Sequence, residues 1–299
     1  MSETFTTSDL LDDIKRRAMI PADQNTFADT DLLRFATDEL RLSLLPMLLS
    51  EREEFYLTEA GASQTLVANT AAYQIPVRAA GQMLRDAYIT DSAGNIYNLA
   101  RIEYDERPNF DNVTSGTPNH FYLRNNKIVL LPAPASSDYT LVTPYFIRPS
   151  KLVETASACQ ITDITGTTIT VSAAAPSTFS SSVPTDFVRA TGGFECIEIG
   201  VTPTSVASTT FVYATVPDSL AVGDWICVAG ESPIPQLPAE LHPLLAERVA
   251  KKVMKALGDV NGAKLSEETI KEMTEGARLL TNSRVQGEPK RIVAKQWWR

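Results

Sequence analysis

Histidine occurs only twice in this 299-residue chain, at His120 and His242, and cysteine only three times, at Cys159, Cys196 and Cys227. No two cysteines form a C-x-x-C pair, so neither a zinc site nor a disulfide framework is indicated, and a reducing compartment is the plain reading. All three lie in strand-like segments, where they serve as small buried hydrophobes. The motifs H-E-x-x-H, G-x-S-x-G and the P-loop are absent. No stretch approaches the roughly 18 apolar residues that span a bilayer, and MSETFTTSDLLDDIKRR has no apolar core of a signal peptide. Neither a membrane span nor a leader is therefore expected. A net charge of -9 argues against a general nucleic-acid binder, though not against a local basic site. Basic residues are scarcest between residues 157 and 235, where Arg189 stands alone against seven acids.

What chemistry remains is thin. His120 lies in a strand beside Phe121, and His242 sits in the first turn of a helix between Leu241 and Pro243. A metal site or acid–base pair needs converging partners, so surface or interface histidines are expected. The carboxylates of LLDDIK and SEREEF read as solvated helix faces. ATGGFE at Ala190–Glu195 reads as a turn, since it lacks the strand-then-helix context of a phosphate cradle. In AVGDWICVAG, Gly223-Asp224 reads as a turn into a strand and Trp225 as a half-buried core residue. No catalytic residue, cofactor or metal ligand is assigned, and no enzyme is expected.

The periodicity of the chain predicts an α+β fold. TSDLLDDIKRRAMIP places Leu10, Leu11, Ile14 and Ala18 on one helical stripe, with Pro21 as a stop. FADTDLLRFATDELRLSLLPMLLSE repeats the pattern through Leu32, Phe35, Ala36, Leu40 and Leu44, with Asp29 and Asp31 at its start. Pro46 should kink or end that helix near Leu45. After Glu54 the period changes to two. EFYLTE, QTLVANTAAYQIP, QMLRDAYITDSAGNIYNLARI and HFYLRNNKIVLLP read as strands of an antiparallel sheet, turning at Ser92–Asn95 and Asn125–Asn126.

From residue 157 short strands rich in serine, threonine and β-branched residues follow, which predicts an inserted small β-barrel or sandwich. Helix returns at PAELHPLLAERVAKKVMKALGD, with Leu241, Leu244, Leu245, Val249, Val253 and Ala256 as its stripe and Gly258 as its stop. KLSEETIKEMTEGARLL follows, with Ser266 as N-cap and Leu265 with Ile270 as a hydrophobic staple. The expected organisation is 1–56 helices, 57–150 antiparallel β region, 151–235 inserted β-domain, 236–283 helices completing the helical core, and 284–299 an extended tail.

That tail carries the clearest signal that a core does not explain. Residues 284–299 hold Arg284, Lys290, Arg291, Lys295 and Arg299 against Glu288 alone, and include Trp297 and Trp298. Aromatics and arginine are the residues most enriched at interface hot spots. Folding back on the core, contact with nucleic acid and docking on another protein all remain open. Docking is the preferred reading, with Trp297 and Trp298 filling apolar pockets and Lys295 and Arg299 meeting acidic or carbonyl groups.

DQNTFADTDLLRFATDELRLSLLPMLLS, followed by EFYLT, YQIPVRAAGQMLRDAYITDSAGNIYNLARI and FYLRNNKIVLLP, resembles the head–tail connector, or adaptor, proteins of tailed bacteriophages. The resemblance covers roughly residues 10–150 and, more loosely, the C-terminal helices. It implies a virion structural protein of the neck, between capsid vertex and tail, synthesised in the host cytoplasm. It implies a helical ring-forming domain, a ring of twelve copies beneath the portal, a downstream tail or nozzle protein, and DNA passing through the lumen without specific binding. It also implies a C-terminal segment reaching into the portal, a role carried over to Arg291, Trp297, Trp298 and Arg299. Ring neighbours meet through two different faces, and an acidic subunit suits a lumen that must not grip phosphate. Another neck or tail component, such as a tail terminator, is the neighbouring alternative. A glycan-binding module in the β-domain, with Trp225 and Tyr213 stacking on sugars, is the alternative of a different class.

Overall fold

The computed structural model describes residues 4–20, 26–51, 53–58, 62–110, 115–190 and 193–280. The chain divides into two compact units: residues 1–52 with 151–299, and residues 53–150.

In the first unit, Thr7–Arg17 and Asp29–Glu39 are α-helices whose starts are held by carboxylates. Asp9 accepts the Thr6 N–H and hydroxyl at 2.8 Å each, and Asp31 accepts the Ala28 N–H at 3.3 Å. Such contacts satisfy amides that a helix N-terminus leaves unpaired. The expected apolar stripes are buried, apart from half-buried Phe35 and exposed Ala256. Both helices pack on the long His242–Leu257 helix, which ends at Gly258 in the left-handed region with φ 84°. Arg248 on that helix binds the Ser43 hydroxyl, reaches Thr274 Oγ1 at 3.3 Å and lies 3.7 Å from Glu39. Lys252 pairs with Glu39 at 2.9 Å and Arg17 with Glu247 at 2.8 Å. The helices are thus tied by polar contacts around their leucine core.

Two helical expectations are corrected. Of the kink or end expected at Pro46, the end is not found: a π-turn over Leu40–Leu44 leads directly into an α-helix over Leu45–Glu51. Proline has no N–H for the Leu42 carbonyl, and the wider turn, in which Leu45 donates to Leu40 O, absorbs the interruption. Burial of Leu40, Leu44, Leu45 and Leu48 on one side favours continuation. The last helix begins at Val260, so Ser266 is a buried interior residue, and Leu265, 68% exposed, forms no staple. Asp259 takes the Gly262 N–H at 2.9 Å instead.

The same unit holds one seven-stranded sheet. Its strand order is 196–201, 185–188, 225–228, 159–165, 168–171, 210–212 and 205–206, with antiparallel pairing throughout. The strand Cys159–Thr165 pairs with one neighbour through Cys159 and Gln160 and with the other from Ile161 onward, passing a register shift between Ile161 and Asp163. The two halves of the sheet therefore meet in one core: Phe187 packs on Tyr213 at 5.0 Å, and Phe211 on Phe179 at 5.4 Å. Of the expected barrel or sandwich, no closed barrel is found among the described residues; the strands form one open sheet curled over its own core.

A short parallel pair, Lys151–Leu152 with Glu231–Ser232, joins this sheet to the helices. Thr7 donates its N–H to Pro233 O at 2.8 Å and its hydroxyl to Val153 O at 2.7 Å. Leu152 donates its N–H to Thr37 Oγ1 at 3.0 Å.

The second unit, residues 53–150, encloses its core between two four-stranded sheets. Their orders are 62–65, 139–143, 88–91, 96–98 and 72–74, 127–131, 120–124, 100–101. Leu66, Ile89, Ile128, Leu130 and Leu141 are fully buried. Pairing is mostly antiparallel, with two-residue parallel pairs at 100–101/120–121 and 115–116/133–134. Both expected turns form: Asn125 and Asn126 adopt φ 47° and 56°, and Asp91 gathers the Ala93 and Asn95 amides at 2.9 Å each. Glu54 and Phe55, expected as strand, lie in a 3-10 turn over Glu53–Phe55, and in that segment Leu57 forms an isolated bridge to Phe146.

Candidate functional site

The tail residues singled out for docking, Arg291, Lys295, Trp297, Trp298 and Arg299, lie outside the described residues. Among the described residues, no group of three or more His, Cys, Asp or Glu side chains is arranged to hold a metal ion.

The groups that sequence reading weighed for chemistry are built into the fold as neutral or locally satisfied parts. His242 is buried, stacks on Phe5 at 4.3 Å and places Nε2 3.2 Å from Leu237 O. The expected surface position is thereby corrected. Burial lowers its pKa, partly opposed by the Leu237 and Pro235 carbonyls, so the ring is held neutral. His120 sits 2.7 Å from Asn119 Oδ1 and 4.3 Å from the Phe110 ring. Burial pushes the Cys159 thiol up to about 11 and the Cys227 thiol well above its ordinary value, which disfavours the reactive thiolate in both.

Asp224, fully buried, accepts the Ala190 and Ala221 amides at 2.9 Å each. Asp186 likewise accepts the Gly200 and Gly230 amides at 2.8 Å each. Both carboxylates organise loops. Trp225 and Tyr213, proposed above as sugar-stacking residues, are 8% and 1% exposed. Neither presents a ring face to solvent, so the residue basis of the glycan-binding alternative is removed. Of the acidic clusters, Asp12, Glu51 and Glu54 are exposed and Asp13 pairs with Arg16, as solvated helix residues do.

Among the described residues, the first unit has a groove of about 700 Å³ beside the Asp29–Glu39 helix. Its far wall is the 151–157 segment, completed by Thr178 and Glu231. The contact between Leu152 N–H and the buried Thr37 hydroxyl sets the distance between the walls. Leu33, Leu152 and Val153 are buried and give the groove an apolar base. Asp31, Arg34, Asp38 and Arg41 line the helical wall, with Lys151, Glu154 and Glu231 opposite. Lys151 and Glu231 pair across their short strands at 3.4 Å. Charges of both signs over an apolar base suit recognition of a polar protein surface, and no nucleophile–base pair lines the groove.

Sequence reading missed this groove. The helical wall was legible as charges spaced three and four residues apart, but its partner wall lies more than a hundred residues away in the chain.

The SU10 adaptor protein family model matches residues 5–179. The match starts just ahead of the first helix, takes in the whole 53–150 unit and ends after the hairpin of 159–165 with 168–171. No curated protein matches the chain.

Proposed function

Because the chain belongs to the SU10 adaptor protein family, a family of phage head–tail adaptors, we propose that it forms a ring between portal and tail and lines the DNA channel there. The family assignment makes the chain a phage structural protein and a virion component that associates with other virion components. Among the described residues no helix is long and apolar enough to cross a membrane.

The observation that carries the reading is the extent of the family match, which spans the first helices and all of the 53–150 unit. Physical chemistry supports the finer role. A chain of net charge -9 is compatible with a DNA passage that does not grip phosphate. The tail from residue 284 reverses that sign and ends in two tryptophans and an arginine, the residue types that anchor protein interfaces. In this reading Trp297 and Trp298 fill apolar pockets of the portal, while Arg291, Lys295 and Arg299 meet its acidic or carbonyl groups. The ring is a dodecamer and hands the channel on to a tail or nozzle protein.

The test is native mass measurement of the purified chain mixed with the portal of the same phage. A portal-bound ring is expected for the full chain. Deleting Gln296–Arg299 is expected to abolish attachment while leaving the circular dichroism of the isolated subunit unchanged. Normal attachment by the shortened chain would remove the tail from the docking site.

A further inference from the structure

Two largely exposed helical stripes of the first unit have complementary charge and the same spacing. Along the groove, Asp31, Arg34 and Asp38 on the Asp29–Glu39 helix and half-buried Arg41 in the π-turn that follows run minus, plus, minus, plus at steps of three, four and three residues. On the outer side of the Val260–Leu280 helix, Glu268, Lys271, Glu275 and Arg278 also run minus, plus, minus, plus at steps of three, four and three. Residues so spaced lie on one side of a helix, and ten residues carry each stripe about 15 Å. The second helix turns its other side inward, where Ala263, Ser266 and Ala277 are buried.

Arg34, Asp38, Lys271 and Glu275 are all exposed, and among the described residues none has an ion pair or hydrogen bond. Arg41 and Arg278 already hold contacts inside the chain. No ion pair joins the two stripes within one copy among the described residues.

Laid antiparallel, two stripes with the same step and the same order of sign oppose unlike charges at all four positions. Asp31 faces Arg278, Arg34 faces Glu275, Asp38 faces Lys271 and Arg41 faces Glu268. Laid parallel and in step, the stripes oppose like charges, and sliding one along to oppose unlike charges puts the steps out of phase.

We propose that the outer stripe of the Val260–Leu280 helix of one copy seats antiparallel in the groove beside the Asp29–Glu39 helix of the next copy. The occupant is a second copy of this chain. This interface rests on the reading of the chain as a ring subunit and places its subunit contact. It joins two different faces, so it propagates head to tail and closes by rotation. Buried Leu33, Leu152 and Val153 lie at the groove's base, and the charged rims set the register.

The test is a charge exchange on the full chain, read by sedimentation and native mass spectrometry. Arg34→Glu makes both faces of that pair negative, and Glu275→Arg makes both positive. Each variant alone is expected to associate at least about tenfold more weakly than wild type, with an unchanged thermal midpoint, because neither residue has a partner within its own copy. An equimolar mixture of the two variants is expected to recover association, since alternating copies make every contact unlike in charge. High salt should weaken the wild-type assembly.

A wild-type ring that neither substitution weakens overturns the interface and leaves the ring reading standing. Recovery with Glu268→Arg in place of Glu275→Arg overturns the antiparallel register. A wild-type chain that stays monomeric at every concentration, alone and with its portal, overturns both readings together.

Discussion

In the curled sheet a hydrogen bond ties the strand Thr185–Val188 to Tyr213, just past the non-neighbouring strand Thr210–Val212, and this can be measured. Thr185 and Tyr213 are 0% and 1% exposed. Thr185 Oγ1 lies 2.8 Å from Val201 O and 2.9 Å from the Tyr213 hydroxyl. A hydroxyl has one proton, and the Val201 carbonyl can only accept. Thr185 therefore donates to Val201, and Tyr213 donates to Thr185. Tyr213→Phe removes one neutral hydrogen bond and leaves Thr185 still bonded to Val201, at a cost of about 1 kcal/mol. Thr185→Val strands two groups, the Tyr213 hydroxyl and the Val201 carbonyl, and should cost about 2–4 kcal/mol. In the Tyr213→Phe background the same change strands only the carbonyl, so the double variant should cost about 1–2 kcal/mol less than the sum. Urea unfolding can follow this with Trp297→Phe and Trp298→Phe in place, which leaves Trp225, in the same sheet, as the sole tryptophan reporter. A Thr185→Val cost no larger than that of Tyr213→Phe would refute the assigned donor directions. Additivity within about 0.3 kcal/mol would refute the bond itself.

Two further outcomes test other parts of the first unit. Gly258 has φ 84° and nothing within 4 Å of where a Cβ would stand, so Gly258→Ala should cost only the left-handed backbone penalty of about 1 kcal/mol. A loss of several kcal/mol in a denaturant titration would mean that the turn is packed rather than merely bent. His242 has its pKa lowered from 6.5 by burial, so above that value both folded and unfolded states are neutral there. As pH falls below it, the unfolded chain takes up a proton that the folded chain resists, and stability drops. Unfolding midpoints measured from pH 7 down to about 5 should show this slope, and His242→Gln should flatten it. An equal slope in both proteins would mean that His242 titrates alike in the two states.

What could be read in advance, and what could not, follows the range over which each feature is determined. The stripe of Leu10, Leu11 and Ile14 and the turn at Asn125–Asn126 depend on a few adjacent residues, and both form as expected. Pro46 is also local, yet its helix continues, because four buried leucines around it outweigh one missing hydrogen bond that a π-turn can absorb. The last helix was expected to start at a Ser266 cap, but the Asp259 carboxylate takes the Gly262 N–H and the helix starts at Val260. Of the strands of residues 159–228, those at 159–165, 168–171, 196–201, 210–212 and 225–228 were legible one by one, while Thr185–Val188 and Ser205–Val206 were not read. The joining of all these strands into an open curled sheet depends on the pairing switch along Cys159–Thr165, which no alternation pattern encodes. The groove divides in the same way. Its helical wall repeats at a local period, while its partner wall is set by Thr37 reaching Leu152 across 115 residues. A stripe of alternating charge is by itself an ordinary solvated helix face. It acquires meaning only when the fold places an apolar-based groove beside one such stripe and leaves a matching one exposed on another helix. Both conditions are tertiary, so a ring contact of this kind is invisible to periodicity even where every residue that makes it can be read.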